Sequence, residues 1–429
     1  MPMAFMKRKA NLMGKRDSYE VVVIGGGAAG LMAAAQSASR GLSTLLVEKN
    51  ARPARKVMIT GKGRCNVTNN CAVNEFIAQI HTNPKFLYSA ISSLTPQDLM
   101  AVLEAEGVSL KTERGSRVFP VSDKAADVVD ALVGRAQRMG ATIRQGEAHE
   151  IIAEDGKIAG VICGGSSVAA ANVIISTGGL SYPQTGSTGD GYRLAASLGH
   201  TIVKTRPSLV PLVTHEQWCA DLMGLFLKNV TLSVYYRDRK KPVFSQLGEM
   251  LFTHFGISGP LVLSASAYIN PEELGQYKVV VDLKPALNEE ILDKRLQKDF
   301  TKYNNKDFLN ALVDLLPAKS IPVLVNLSGI PGNLKVHQIT KEQRHRLGYL
   351  IKHLPLTVKA FRPIEEAVVT AGGISVKEID PRTMMSKLVR GLYFAGEVMD
   401  VDAYTGGFNL QIAFSTGYLA GNNVFCGRD

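Results

Sequence analysis

Two sets of residues in this chain have the types and spacing for chemistry. The first is Gly25, Gly27 and Gly30, which fit G-x-G-x-x-G, with Glu48 lying 18 residues beyond Gly30. Glycines so spaced let a backbone approach a pyrophosphate, and an acid at that remove accepts hydrogen bonds from ribose hydroxyls. An acid there also repels a 2′-phosphate, which argues against NADP at this position. The second set is Arg64, Tyr182 and His254. A guanidinium fixes a carboxylate or polarises a carbonyl. A phenol or imidazole delivers a proton to the carbon opposite an incoming hydride. Each also has a plainer reading: Arg64 on a pyrophosphate, Tyr182 packed on a ring, His254 as a satisfied loop histidine.

The elements that must position the first set surround it. Residues 20–24 (EVVVI) read as a short buried parallel strand, residues 28–40 as a helix packing through Leu31, Ala34, Ala35 and Ala38, and residues 43–47 as a second strand closed by Glu48. Gly25 turns the chain off the strand, Gly27 leaves room for the pyrophosphate, and Gly30 brings the helix close to the sheet. The helix N-terminus then offers unpaired N–H groups and a partial positive charge. This unit alone leaves FAD and NAD open.

A second strand-to-helix turn decides between them. "GLYFAGE" (391–397) is a short apolar strand ending in Gly396 and Glu397, and "TGGFNLQIAFSTGYLAG" (405–421) reads as glycines opening a helix. A long FAD needs such a turn far down the chain, with adenosine at the first turn and flavin at the other. N–H groups near Asn409 and Leu410, after Gly407, would face the flavin edge that carries charge when reduced. Glu397 would accept from ribityl hydroxyls.

Between these ends, Thr95 and Pro96 open a helix over 95–106 that stops at Gly107, and Ser122 is the expected cap of a helix over 122–139. Asp155-Gly156 marks a hairpin, 172–179 a buried strand, and 185–200 a glycine loop leading into a helix. The texture becomes β-rich over 201–284, helical and rich in Lys, Asn and Leu over 286–353, and β-rich again from about 355. There is no second G-x-G-x-x-G for a separate NAD(P) domain.

The totals narrow the class. No apolar run approaches the roughly 18 residues that span a bilayer, and the basic arm 1–17 lacks a secretory apolar core. Five scattered cysteines without C-x-x-C spacing indicate neither a disulfide framework nor a metal site, and point to a reducing, cytoplasmic setting. The net charge of +11 fits either a nucleic-acid partner or the basic surface of an enzyme for anionic cofactors, and the second is favoured.

Taken together, "VVVIGGGAAGLMAA", "ITGKGRCNVTN", "STGGLSYPQTGSTGDGYRLAASLGH", "LFTHFGISGP" and "VVTAGGISVKEIDPRTMMSKLVRGLYFAGEVMDVDAYTGGFNLQIAFSTG" resemble the BaiN-like (YhiN-like) flavoproteins, the NAD(P)/FAD-dependent oxidoreductases or aminoacetone oxidase-like enzymes. Lys62 departs from the family, which more often has glycine there. The resemblance implies an α/β fold of glutathione-reductase-2 type. Its FAD-binding Rossmann domain (18–200 and 362–429) would carry an inserted β-barrel domain (201–285 and 354–361), which in turn carries a helical insert domain (286–353). It extends the expected FAD contacts to Ala28, Ala29, Lys49, Lys56, Gly61, Gly63, Arg64, Cys65, Asn66, Ala148, Thr177, Gly178, Gly179 and Asp190. The expected activity is hydride transfer at flavin N5, to or from a small organic substrate, with NAD(P)H as a transient donor. The alternatives are an RNA-modifying flavoprotein and a non-catalytic flavin-binding protein. A disulfide reductase is disfavoured, because Cys65 and Cys71 have five residues between them rather than four. No feature sets an oligomeric state.

Overall fold

The computed structural model describes residues 17–426, so the basic arm at 1–16 lies outside the described residues, while Asp17 already opens the first strand. The chain forms two compact units, one combining residues up to Pro207 with those from Val368 onward, the other being Ser208–Ala367.

In chain order the first unit contributes β1 (Asp17–Ile24), α1 (Ala28–Ser39), β2 (Thr44–Glu48) and β3 (Thr68–Asn69). It continues with α2 (Pro96–Ala105), β4 (Leu110–Glu113), β5 (Arg117–Pro120), α3 (Ala125–Arg138) and β6 (Thr142–Gln145). The meander β7 (Ala148–Glu154), β8 (Lys157–Cys163) and β9 (Ser166–Ile175) leads to α4 (Asp190–Ala196) and β10 (Ile202–Ser208). The second unit holds β11 (Leu212–Thr214), β12 (Phe226–Tyr236), β13 (Phe244–Thr253), β14 (Gly256–Ser258), α5 (Pro260–Ser266) and β15 (Tyr277–Asp282). It adds α6 (Glu289–Lys302), α7 (Ile321–Ser328), α8 (Lys341–Lys352), β16 (Leu354–Leu356) and β17 (Val358–Phe361). The chain re-enters the first unit with β18 (Val369–Ile374), β19 (Leu392–Phe394) and α9 (Phe408–Asn423).

The main sheet of the first unit sets the site. β1 lies between β2 and β9, parallel to both, while β6 extends the sheet beyond β2. On the side away from β1, β9 serves two more partners: Ser166–Ala169 pair antiparallel with β8, and Val173–Ile175 pair parallel with β19. Val21–Ile24 and Leu45–Val47 are buried, which is why these strands read as unbroken apolar runs rather than alternating ones. Because β6, β2, β1, β9 and β19 run the same way, their carboxyl ends share one edge, where open α/β sheets bind ligands.

Two glycines join α1 to α9. A Cβ on Gly417 would sit 2.2 Å from the Ala29 carbonyl oxygen, and one on Gly421 would sit 2.5 Å from that of Ala33. The helices therefore touch backbone to backbone. This changes the expected one-sided packing of α1: every residue from Ala28 to Ala35 is buried, because α9 covers the face carrying Ala29 and Ala33.

Local signals mostly resolve as their chemistry dictates. Thr95 and Asp98 form a reciprocal capping box on α2. Asp155 and Gly156, with φ of 48° and 72°, make the β7–β8 turn. The cap expected at Ser122 does not form. Asp123 turns left-handed at φ 56°, Ser122 accepts the Lys124 N–H at 3.3 Å, and α3 begins at Ala125 without a side-chain cap.

The alternating stretch after residue 201 begins in the first unit, since β10 pairs with β18. Ser375 donates its N–H to the Thr201 carbonyl at 3.0 Å, and Gly372 lies against Lys204. The two contacts run in opposite senses along the strands, so the pairing is antiparallel.

The second unit is built on a seven-stranded antiparallel sheet in the order β16-β15-β12-β13-β14-β11-β17. Its two end strands are consecutive in the chain, separated only by Thr357. One kinked segment thus pairs first with β15 and then with β11, closing the sheet into a barrel. The helices α6, α7 and α8 belong to the same unit. Trp218, the only tryptophan in the chain, packs on Phe252 there.

Candidate active site

The glycines of the first turn divide by cause. Gly25 has φ 100°, and a Cβ there would lie 2.7 Å from the Ser176 carbonyl oxygen. A Cβ on Gly30 would lie 1.8 Å from the Gly25 carbonyl oxygen. The fold itself requires both. Gly27 has φ −78°, open to any residue, and nothing within 4 Å of its missing Cβ. Only something that must approach its backbone calls for glycine there. No side chain caps α1, so its first N–H groups, at Ala28 and Ala29, are open to an anion.

Glu48 is held by Gly26 N–H at 2.7 Å, Asn50 N–H at 2.8 Å and Asn50 Nδ2 at 2.6 Å. Of roughly four carboxylate lone-pair sites, one remains for a ribose hydroxyl. Gly146 N–H donates to the Glu48 carbonyl at 2.8 Å, which brings Ala148 at the start of β7 beside this corner.

Two lysines tie the loops of this edge together. Lys49 meets Asp190 at 2.6 Å, at the start of α4. Burial pushes the Asp190 carboxyl up, but bonds from Lys49 and Thr188 outweigh it and hold the group below the usual carboxylate range. Lys56 meets Glu397 Oε2 at 2.7 Å and also reaches Ser181. Glu397 Oε1 accepts from Thr370 N–H at 2.8 Å and Ser181 Oγ at 3.0 Å. The carboxylate expected for ribityl hydroxyls is therefore largely engaged by protein. The Thr177-Gly178-Gly179 turn after β9 packs on the same cluster, since a Cβ on Gly179 would meet Thr370 Oγ1 at 2.4 Å.

The loop before β3 is wound left-handed. Gly61, Lys62, Gly63 and Cys65 have φ of 57°, 60°, 84° and 60°. Lys62 thus occupies a conformation that glycine adopts freely. Arg64 is clamped by Glu113 on β4 and by Asp123 at 2.7 Å, and lies over the Phe119 ring at 4.2 Å. Lys111 completes the network on Asp123 at 2.8 Å. Cys65 is buried and its thiol is pushed up to about 12 by desolvation; burial also raises Cys71. All five cysteines are free. A thiolate pair beside the flavin, as a disulfide reductase needs, is disfavoured.

The far turn is fitted to this loop. Gly407 has φ 100°, and a Cβ there would lie 2.3 Å from Thr68 of β3. α9 starts without a side-chain cap. The Asn409 side chain is occupied, exchanging bonds with Ala403 N–H at 3.0 Å and Ala403 carbonyl at 2.8 Å, so only backbone N–H groups of Asn409 and Leu410 face outward for a ligand. Gly396, at φ 78°, packs on Ala29 of α1.

Tyr182, left-handed at φ 52°, sits at the end of the turn after β9, and its phenol has no hydrogen-bond partner among the described residues. His254 belongs to the second unit, exposed at the β13–β14 turn with its ring edge-on to Phe255 at 5.0 Å. Sequence reasoning missed Asn50, which pairs with nearby Glu48, and Ser181 and Thr370, whose partner Glu397 lies in another segment. It also missed Tyr192, whose hydroxyl is buried and unpartnered, as are Asn66 Oδ1 and Thr177 Oγ1. Orphaned polar atoms of this kind, beside two uncapped helix starts and the open Gly27 backbone, fit a polar ligand lying along the edge.

A family model described as "HI0933-like protein Rossmann domain" matches residues 19–423. The chain belongs to this family. Among curated relatives, it is 30% identical to the ribosomal RNA dihydrouridine synthase of Escherichia coli, over 96% of this chain and 99% of that one. The protein of the same description from Haemophilus influenzae is 34% identical, covering 94% and 98%. The 3-dehydro-bile acid delta(4,6)-reductase of Clostridium scindens is 31% identical, covering 93% and 97%. In fold the chain is similar to a flavocytochrome c3 fumarate reductase, with TM-score 0.53, 16% identity, and coverage of 98% of this chain and 80% of that one. The first unit is thus an FAD-binding Rossmann domain, and the protein is a flavin-dependent oxidoreductase.

Proposed function

We propose that this protein reduces a carbon–carbon double bond conjugated to a carbonyl, and that its substrate is a uridine ring in ribosomal RNA. The names of the three relatives carry this reading, because they share one chemistry. The C5–C6 bond of uracil and the 4,6-diene of a 3-oxo bile acid are both conjugated to a carbonyl. When bound, FAD would supply the hydride for such a reduction, which goes to the carbon β to that carbonyl. The Gly27 turn and the Glu48 corner would hold the cofactor, and the uncapped start of α9 would favour the charge that forms on reduction. Tyr182, with its phenol free, delivers the proton to the α carbon. Arg64, paired with Glu113 and Asp123, orders the loop 60–66 rather than binding substrate.

The sequence alone ranks a small molecule above nucleic acid. Two relatives named for ribosomal RNA, aligned over nearly their whole length, together with the net charge of +11, reverse that order. A small enone is the second reading, favoured by the bile-acid relative. NAD(P)H, lacking a domain of its own, donates by entering the substrate space transiently.

Anaerobic reduction of the yellow protein by NADH or NADPH, followed by an unmodified ribosomal RNA fragment or a 4-en-3-one steroid, tests this. Reoxidation by RNA with dihydrouridine detected by mass spectrometry is expected. Reoxidation by the steroid alone would transfer the assignment to the second reading, and reoxidation by neither would overturn the shared chemistry. Tyr182→Phe is expected to slow product formation by about 100-fold with flavin reduction unchanged.

A further inference from the structure

The β12–β13 hairpin of the second unit ends in Arg237-Asp238-Arg239-Lys240-Lys241, all exposed. Arg239, Lys240 and Lys241 have no carboxylate partner among the described residues, and Arg237 approaches Glu273 only at 3.7 Å. The tip therefore presents unneutralised positive charge. Aromatic rings lie at its base. β12 pairs with β15 so that Tyr236 stands opposite Tyr277 and Tyr235 opposite Lys278. The Tyr236 and Tyr277 rings are 5.0 Å apart. Arg237 and Arg239 lie over the Tyr236 ring at 4.9 and 5.4 Å. Stacking orients a guanidinium without consuming its N–H donors, so these remain available for phosphate oxygens.

We infer that this hairpin is an RNA-docking surface, its cations on the sugar–phosphate backbone and its tyrosines offering a face to an unpaired base. The inference rests on the ribosomal RNA reading above and extends it to a named surface. An acidic protein would find the same charge, but paired aromatic rings beside stacked arginines are the combination that single-stranded nucleic acid uses. Residues 235–241 already join tyrosines to cations in one stretch, and β15 adds Tyr277 and Lys278 from a distant segment.

The test uses the FAD-loaded full chain and a ribosomal RNA fragment. Arg239→Gln/Lys240→Gln/Lys241→Gln is expected to raise KM for RNA by about tenfold or more and to lower the slope of log affinity against log salt by about 2–3. The kcat and the rate of flavin reduction by NAD(P)H should not change. Asp238→Asn, which removes the tip's one acid, is expected to tighten RNA binding. Wild-type turnover of RNA with unchanged KM and salt slope in the triple variant overturns the docking surface alone. Wild-type protein that neither binds nor reduces RNA overturns the substrate reading, and this inference with it.

Discussion

At the scale of single residues, the glycines of the first turn separate what folding requires from what the cofactor requires. Gly27→Ala is expected to leave the thermal midpoint of the apoprotein unchanged or raise stability by about 0.5 kcal/mol, because its φ suits alanine and no atom is displaced. It should weaken FAD binding at least about tenfold, worth about 1.4 kcal/mol, as read by flavin titration. Gly30→Ala drives a methyl group into the Gly25 carbonyl and should lower the melting temperature before any cofactor is added. Lys62→Gly should stabilise the protein by up to about 1 kcal/mol in denaturant titrations, since a left-handed non-glycine residue costs about 1–2 kcal/mol and glycine returns part of that as chain entropy. The glycine fingerprint and Glu48 were legible because their chemistry is local. Ser181 and Thr370 were not, since each becomes informative only beside Glu397, which lies in another segment.

At the scale of elements, the joint between α1 and α9 keeps both uncapped helix starts in one rigid pair. Gly417→Ala is expected to destabilise the protein by about 1–3 kcal/mol through overpacking, and to reduce flavin occupancy together with stability, read in parallel by thermal melting and absorbance. Loss of either effect without the other would mean that the helix starts are positioned by something else. Periodicity revealed that both helices exist, but not this contact. The apolar pattern of α1 marks the residues that meet the sheet, whereas Ala29 and Ala33 meet a helix formed almost 400 residues later. The failed cap at Ser122 has a similar origin: a suitable side chain stood near a helix start, but the left-handed turn at Asp123 redirected it.

At the scale of the whole molecule, the succession of textures changes near residues 201 and 355, several residues away from the borders of the second unit at Ser208 and Ala367. It did not reveal that β10, alternating like the barrel strands, pairs back into the first unit, because pairing partners are not encoded in alternation. Acid sensitivity belongs to this scale too. His200 is buried, with Nε2 at 2.9 Å from Ser386 Oγ and Nδ1 at 3.2 Å from Glu378. Desolvation outweighs Glu378 and lowers its pKa. The unfolded chain therefore takes up this proton first, and the stability present above about pH 6.5 should decline as pH falls below that value. His200→Gln should flatten the decline in thermal melts between about pH 6.5 and 5. The antiparallel run of β10 beside β18 has a further result. A polypeptide whose own ends lie side by side can be spliced at that ladder without shifting any strand of the redox half. An insertion can then grow or shrink at that junction while the strands of the flavin-binding half keep their partners.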